Sequence, residues 1–334
     1  MKTSKEPARK KANRPPERVG VVGLGLLGRG ITACFLGHGF EVVAVDRNRE
    51  QRTKSARHIG RMLDELVEVR GFPARLRREW KSRYLPTDDF ALLRGCHFLV
   101  ESVTEDPAAK EDALGRIEQV VAPSAVIATN TSAIPISRMQ ERRRHPGRFI
   151  GMHWAGPAHV TRFMELIRGR HTTAATFKAA AAMGRRLGKD PCLCRKDVPG
   201  FIVNRIAYAM YREALHLLES GVADAETIDR GMRNALGLWA TVCGPLRWID
   251  LTGGPAGYAK AMNLVLPTLS KADAIPPVMR ELADSNAKGI INGRGFFKYT
   301  PQEAHRWEKH YRRHALRVTA MHDEYSPLKR KTRT

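Results

Sequence analysis

Six residues, Gly23-Leu24-Gly25-Leu26-Leu27-Gly28, restrict the fold of this chain more than any other feature. They follow a short apolar run from Val19 that reads as a buried parallel strand. They open a stretch from Leu26 to His38 with helical periodicity, which Gly39 stops. A second apolar run, Glu41 to Val45, ends at Asp46. In such a βαβ unit the first glycine makes a tight turn and the second lets backbone approach a pyrophosphate. The third packs helix against strand. The helix start offers N–H groups to the phosphates. Asp46, 21 residues after Gly25, is placed to accept the ribose hydroxyls of NAD and would repel a 2′-phosphate. Arg47 and Arg49 carry the opposite sign, so they temper the preference for NAD over NADP. Gly23, Gly25, Leu26, Leu27, Gly28 and Asp46 are the first candidate cofactor-binding residues.

The same rhythm continues. Runs at Cys96–Val100, Ala125–Thr129, Arg148–Met152, Phe163–Ile167 and Pro191–Cys194 read as strands, and Pro107–Val121 and Ala174–Leu187 as helices. Strands alternating with helices predict an α/β fold with a doubly wound, mainly parallel sheet. Arg47 to about Trp80 reads as a charged helical arm with one buried stripe, Ile59, Met62, Leu63, Leu66 and Val67. Near residue 198 the texture changes. Phe201–Glu219, Ala225–Leu236 and a run around Val278–Asn286 are helical, no strand pattern follows, and Gly253-Gly254-Pro255 marks a turn. The expected division is a basic tail over 1–18, a nucleotide-binding domain over 19–198, an all-helical C-terminal domain over 199–300, and a basic extension over 301–334.

Charge bears on partners. The chain of 334 residues carries a net charge of +23. Residues 1–18 hold seven Lys/Arg against two acids, and residues 301–334 nine against four. Such a surplus suits polyanions, but charge alone specifies no partner. Ala8-Arg9-Lys10-Lys11 and Lys329-Arg330-Lys331 read as solvated, disordered tails, and nucleic acid is not expected as a partner. No apolar run reaches the ~20 residues of a membrane span, and the first 18 residues lack the apolar stretch of a secretory signal. Five cysteines (Cys34, Cys96, Cys192, Cys194, Cys243) stand in no zinc or redox spacing. No metal is expected, and a reducing cytoplasm fits.

The later polar residues carry the chemistry. Glu105 and Lys110 lie where the third strand passes into its helix, on the carboxyl edge where ligands bind in such sheets. They are candidates for contact with the nicotinamide ribose. Ser132 follows the fourth strand on the same edge, where a serine can also cap the helix starting near Pro135. His153 closes the fifth strand, and Glu165 lies on the sixth, 12 residues later. A hairpin-like return would bring the carboxylate to the imidazole. Oxidising a secondary alcohol removes a hydride and a proton together, and a histidine steadied by a carboxylate suits the proton. Asn204 sits early in the first helix of the second domain.

Several segments together resemble the short-chain L-3-hydroxyacyl-CoA dehydrogenase family, also called the 3-hydroxybutyryl-CoA dehydrogenase family. They are Leu99–Asp106, Thr129–Ser132, Gly151–His153, Val198–Arg205, Gly244-Pro245 with Asp250–Gly253, and Gly293–Phe297. The resemblance implies a Rossmann-type NAD-binding domain, with His153 as base and Glu165 as its orienting partner. Ser132 would bond the reacting oxygen, Asn204 would line the site, and the helical domain would form a homodimer. The implied reaction is (3S)-3-hydroxyacyl-CoA with NAD giving 3-oxoacyl-CoA, reversibly. Two features depart from the family pattern. Gly156-Pro157 stands where members have Asn-Pro, and the CoA-contacting Ser and Lys of the helical arm are replaced near Met62 and Val69/Arg70. Two alternatives therefore accompany the CoA reading. One is a dehydrogenase of a free 3-hydroxy acid resembling L-gulonate or carnitine. The other is an inert nucleotide fold serving as a nucleic-acid-binding or structural protein.

Overall fold

The computed structural model describes residues 16–324. Ala8–Lys11 and Lys329–Lys331 lie outside them, so the expectation of solvated tails is not addressed there. The chain divides into two compact units at Val198/Pro199.

The first unit is built on eight strands. They are β1 (Arg18–Val22), β2 (Glu41–Val45), β3 (Tyr84–Thr87), β4 (Phe98–Glu101), β5 (Val126–Thr129), β6 (Phe149–His153), β7 (Phe163–Ile167) and β8 (Asp190–Cys194). Their order across the sheet is β3-β2-β1-β4-β5-β6-β7-β8. Every pairing is parallel except β6 with β7, which is antiparallel. The central strands are buried on both faces, which explains their unbroken Val/Ile/Leu runs. The strand order reverses at β1 and β4, so a crevice opens at their carboxyl ends.

Helices α1 (Leu26–Gly37), α2 (Arg49–Arg70), α3 (Leu76–Glu79), α4 (Pro107–Val120), α5 (Ile136–Gln140) and α6 (Ala174–Arg186) connect the strands. Ile31 and Phe35 of α1, Ile59, Leu63 and Leu66 of α2, and Ala180 and Met183 of α6 share one core with Val19, Val21, Val42 and Ala44. Each buried large aliphatic side chain contributes roughly 1.5–3 kcal/mol, so this layer fixes the sheet before any ligand arrives. The expected arm from Arg47 to Trp80 is shorter than its pattern. Asn48 caps α2, accepting from the Gln51 amide at 3.0 Å, and Gly71 at φ +68° ends it in the left-handed region. The strand β3 was not foreseen. It is an edge strand with Pro86 and an exposed Leu85, and such a strand lacks the apolar run of its neighbours.

The second unit contains α7 (Val203–Glu219), α8 (Ala225–Gly231), α9 (Gly237–Ala240), α10 (Pro245–Thr252), α11 (Gly254–Val265), α12 (Pro277–Asp284) and α13 (Pro301–Glu324). Among the described residues it holds no strand, only isolated bridges joining Gly289, Arg294 and Lys298. The Gly253-Gly254 turn separates α10 from α11. The segment read as a basic extension over 301–334 contains a helix over its described part. Pro301 starts α13, and regular helix runs to Glu324. No described helix is long and apolar enough to cross a membrane.

Candidate active site

The glycine turn joins β1 to α1 beneath a crevice of about 680 Å³, within the ~300–1,000 Å³ range of ligand sites. Gly23 has φ +94°, and a Cβ there would lie 2.5 Å from the Ser102 carbonyl oxygen. A Cβ on Gly28 would lie 1.8 Å from the Gly23 oxygen, so helix and strand meet too closely for any side chain. Gly25 differs. Nothing stands within 4 Å of a Cβ there, and its backbone is ordinary extended chain. The first and third glycines thus serve the protein's own packing, while the second borders open space. Among the described residues no side chain caps α1 and no acid lies in its first turn, which leaves its N-terminal dipole to an anion. This cradle fits a dinucleotide pyrophosphate. Leu26 and Leu27 line it, with Asp46 at its far end.

Asp46 is fixed by two backbone donors. Leu24 N reaches Oδ2 and Asn48 N reaches Oδ1, each at 2.9 Å. A carboxylate has about four acceptor sites, so capacity for hydroxyl donors is left. Arg47 is ion-paired with Asp112 on α4, which offsets its attraction for a 2′-phosphate.

A buried polar network ties the end of β4 to the turn bearing Ser132. Glu101 is fully buried and accepts from Lys110 Nζ at 3.0 Å, the Thr129 hydroxyl at 2.5 Å and Val103 N at 2.7 Å. Lys110 Nζ also lies 3.3 Å from Glu105 Oε2. Glu105 Oε1 in turn accepts from the Thr131 hydroxyl at 2.5 Å, Ser132 N at 2.8 Å and Ala133 N at 3.0 Å. Burial by itself would raise the Glu105 carboxyl. The Thr131 hydroxyl, the Lys110 ammonium and the Ala133 and Ser132 amides outweigh it, and hold the group below the usual carboxylate range. Glu105 and Ser132 line the crevice. Lys110 is not among the lining residues; its side chain is buried and supports Glu105. The helix that follows Ser132 has a partner from further along the chain. The Asp197 carboxylate accepts from Ile136 N at 3.0 Å and Ser137 N at 2.5 Å.

His153 ends β6 and pairs in register with Glu165 on β7, because the chain returns antiparallel. Its Nδ1 lies 2.7 Å from Glu165 Oε2, and both side chains are buried. An ionised carboxylate only accepts, so Nδ1 carries the proton and the basic lone pair belongs to Nε2. The Phe163 ring packs against the imidazole at 90° with centroids 5.7 Å apart, which holds its plane. Asn130 connects this strand end to the crevice. Its Nδ2 donates to the Ser102 hydroxyl at 3.1 Å, and its Oδ1 accepts from Trp154 N at 2.9 Å.

This combination of a glycine cradle, a ribose acid and a histidine–glutamate pair has known relatives. The model of the 3-hydroxyacyl-CoA dehydrogenase NAD-binding domain matches residues 18–198, and that of the family's C-terminal domain matches 200–299. The chain belongs to the 3-hydroxyacyl-CoA dehydrogenase family. It is accordingly an NAD-dependent oxidoreductase. Among relatives of this dehydrogenase, a 5-formyl-3-hydroxy-2-methylpyridine 4-carboxylate 5-dehydrogenase of Mesorhizobium japonicum is 31% identical, over 85% of this chain and 91% of that one. A crystal structure of an enzyme of that name, an NAD⁺-dependent dismutase, overlays with a TM-score of 0.85 at 29% identity. That match covers 92% of this chain and 98% of the other. The (S)-3-hydroxybutyryl-CoA dehydrogenase of Ralstonia eutropha gives a TM-score of 0.70 at 32% identity, over 85% and 99% of the two chains.

In this family member the first unit brings together Gly23, Gly25, Leu26, Leu27, Asp46, Glu105 and Ser132 along the crevice, with Gly28 packed behind it against Gly23. His153 and Glu165 meet on the same sheet edge. Asn204 is the second residue of α7, in the other unit. Sequence reasoning passed over Asn130, Ser102 and Asp197 as site residues. The available signal was position: Ser102 and Asn130 directly follow β4 and β5 at the carboxyl edge.

Proposed function

We propose that this dehydrogenase oxidises the hydroxyl carbon of a (3S)-3-hydroxyacyl-CoA to the 3-oxo compound, reversibly, with His153 as the base. The supporting observation is the buried 2.7 Å contact between His153 Nδ1 and Glu165. NAD, when bound, supplies the hydride acceptor. His153 Nε2 takes the hydroxyl proton as the carbon loses its hydride, and the Glu165 carboxylate stabilises the imidazolium that results. Ser132 donates to the reacting oxygen, on a turn held rigid by Glu105. Asn204 contributes from the helical unit. Gly23, Gly25, Gly28, Leu26 and Leu27 receive the pyrophosphate, and Asp46 the adenosine ribose.

A free 3-hydroxy acid is the second reading, and two observations favour it. Gly156, three residues beyond His153, has no side chain although a Cβ would meet nothing within 4 Å. The relative that overlays with a TM-score of 0.85 is named for a pyridine carboxylate, not a thioester. NADH absorbance measured with 3-hydroxybutyryl-CoA, L-gulonate, carnitine and a hydroxymethylpyridine carboxylate separates the readings. A kcat/KM for the thioester at least tenfold above the free acids supports the first, and the reverse order overturns it.

The helical unit supplies a homodimer contact on this reading. Among the described residues α7 to α12 bury no side chain completely, and Leu246 and Leu264 are 79% and 78% exposed. Apolar surface on that scale marks an interface.

A further inference from the structure

One element outside the segments that the family models match carries a cluster of cations in its middle, although over its full length five Lys/Arg stand against four acids. The family's C-terminal model ends at residue 299, and α13 begins just after it. Between Arg306 and Arg317 five Lys/Arg stand against one acid, Glu308. Arg306, Lys309, Arg313 and Arg317, with His310 and His314, share one exposed side of α13. These positions recur every three or four residues, so they form one face, about 16 Å long at 1.5 Å per residue. Trp307 lies among them, and Glu303 is the acid on the same side. Residues 305–314 are all exposed.

A merely solvated helix face explains the cations but not the aromatics. Trp307 and Tyr311 are 55% and 57% exposed within the same charged stretch. A membrane-surface helix would carry an apolar stripe opposite its cations, whereas Trp307 and Tyr311 are the only apolar residues from 305 to 314. A second copy brings no net negative charge. The chain carries +23, and residues 199–300 hold eleven Lys/Arg against nine acids. Cations spaced along one helix side with an exposed indole among them match the charge-plus-stacking chemistry that binds unpaired nucleotides.

We propose that this face of α13 binds single-stranded nucleic acid, the arginines and Lys309 meeting successive phosphates while Trp307 stacks on a base. The ten residues after Glu324 add four cations and no acid, which extends the same charge along the sequence. The site shares no lining residue with the dehydrogenase crevice and does not depend on the substrate reading.

The test is fluorescence anisotropy of the full chain with a labelled single-stranded RNA of about 20 nucleotides, across about 50–200 mM salt. Binding should weaken with salt at a log–log slope of about −3, at roughly −0.7 per phosphate engaged. The combined variant Arg306→Gln, Arg313→Gln, Arg317→Gln should bind at least tenfold more weakly, with the slope shallower by about 2. Trp307→Leu should weaken binding about fivefold or more and leave the slope unchanged. Unaltered circular dichroism and NADH production in both variants would show that the fold is kept. Absence of RNA binding, or binding indifferent to the arginine variant, overturns the proposal. So does binding to anionic phospholipid vesicles without binding to RNA.

Discussion

Three donors, the Thr131 hydroxyl and the Ser132 and Ala133 amides, converge on a single oxygen of Glu105, while Lys110 faces the other. Glu105 was expected to touch cofactor, and it does line the crevice. Its hydrogen bonds show a second task, holding the turn from which Ser132 works. Glu105→Gln keeps the shape and removes the charge. It should lower kcat by about tenfold, since charge-assisted bonds are roughly twice as strong as neutral ones. The sign of the pH effect follows from its depressed folded-state pKa. The stabilisation is present above the ordinary carboxylate range and lost as pH falls through the lower folded value. Urea midpoints of wild type and Glu105→Gln should therefore separate near neutrality and converge in acid. A constant separation at all pH values would deny the charge its role.

At the scale of elements, the glycine turn divides its work between packing and ligand. Gly28→Ala forces a Cβ into the Gly23 carbonyl and should cost about 3 kcal/mol or more, seen as a melting temperature lower by roughly 6 °C or more. Gly25→Val meets open space and should leave melting unchanged while weakening NAD binding at least tenfold. Calorimetry and NAD titration of the two variants check this, and equal melting of both would contradict it. The turn was legible because its glycines stand between two apolar runs. So were seven of the eight strands, six through buried apolar runs and the mostly exposed β8 only as the last beat of the repeating pattern. The edge strand β3 was not, because half-exposed residues and a proline carry no such signal. The Glu101–Lys110–Glu105 chain was visible only as three charges near one strand end. Which of them faces ligand and which faces protein depends on packing that no local pattern encodes. α13 was hidden by its charge, since a cationic helix and a solvated tail share one composition.

For the whole molecule, the proposed homodimer rests on the sparse burial in α7 to α12 and on the exposed leucines. Sedimentation at micromolar concentration should give twice the 37.4 kDa chain mass. Leu246→Asp combined with Leu264→Asp should shift the species toward monomer, and a wild-type monomer would contradict the interface. The central claim joins the molecule's parts: the glycine turn binds NAD, and the imidazole at the end of β6, steadied by Glu165, takes the proton. The most direct measurement is stopped-flow NADH formation in His153→Ala and Glu165→Gln, alongside NAD affinity by fluorescence titration. The account predicts turnover lower by about 10²–10⁴-fold in His153→Ala, and at least about tenfold in Glu165→Gln, with NAD affinity within twofold of wild type. Turnover of His153→Ala within threefold of wild type would contradict it.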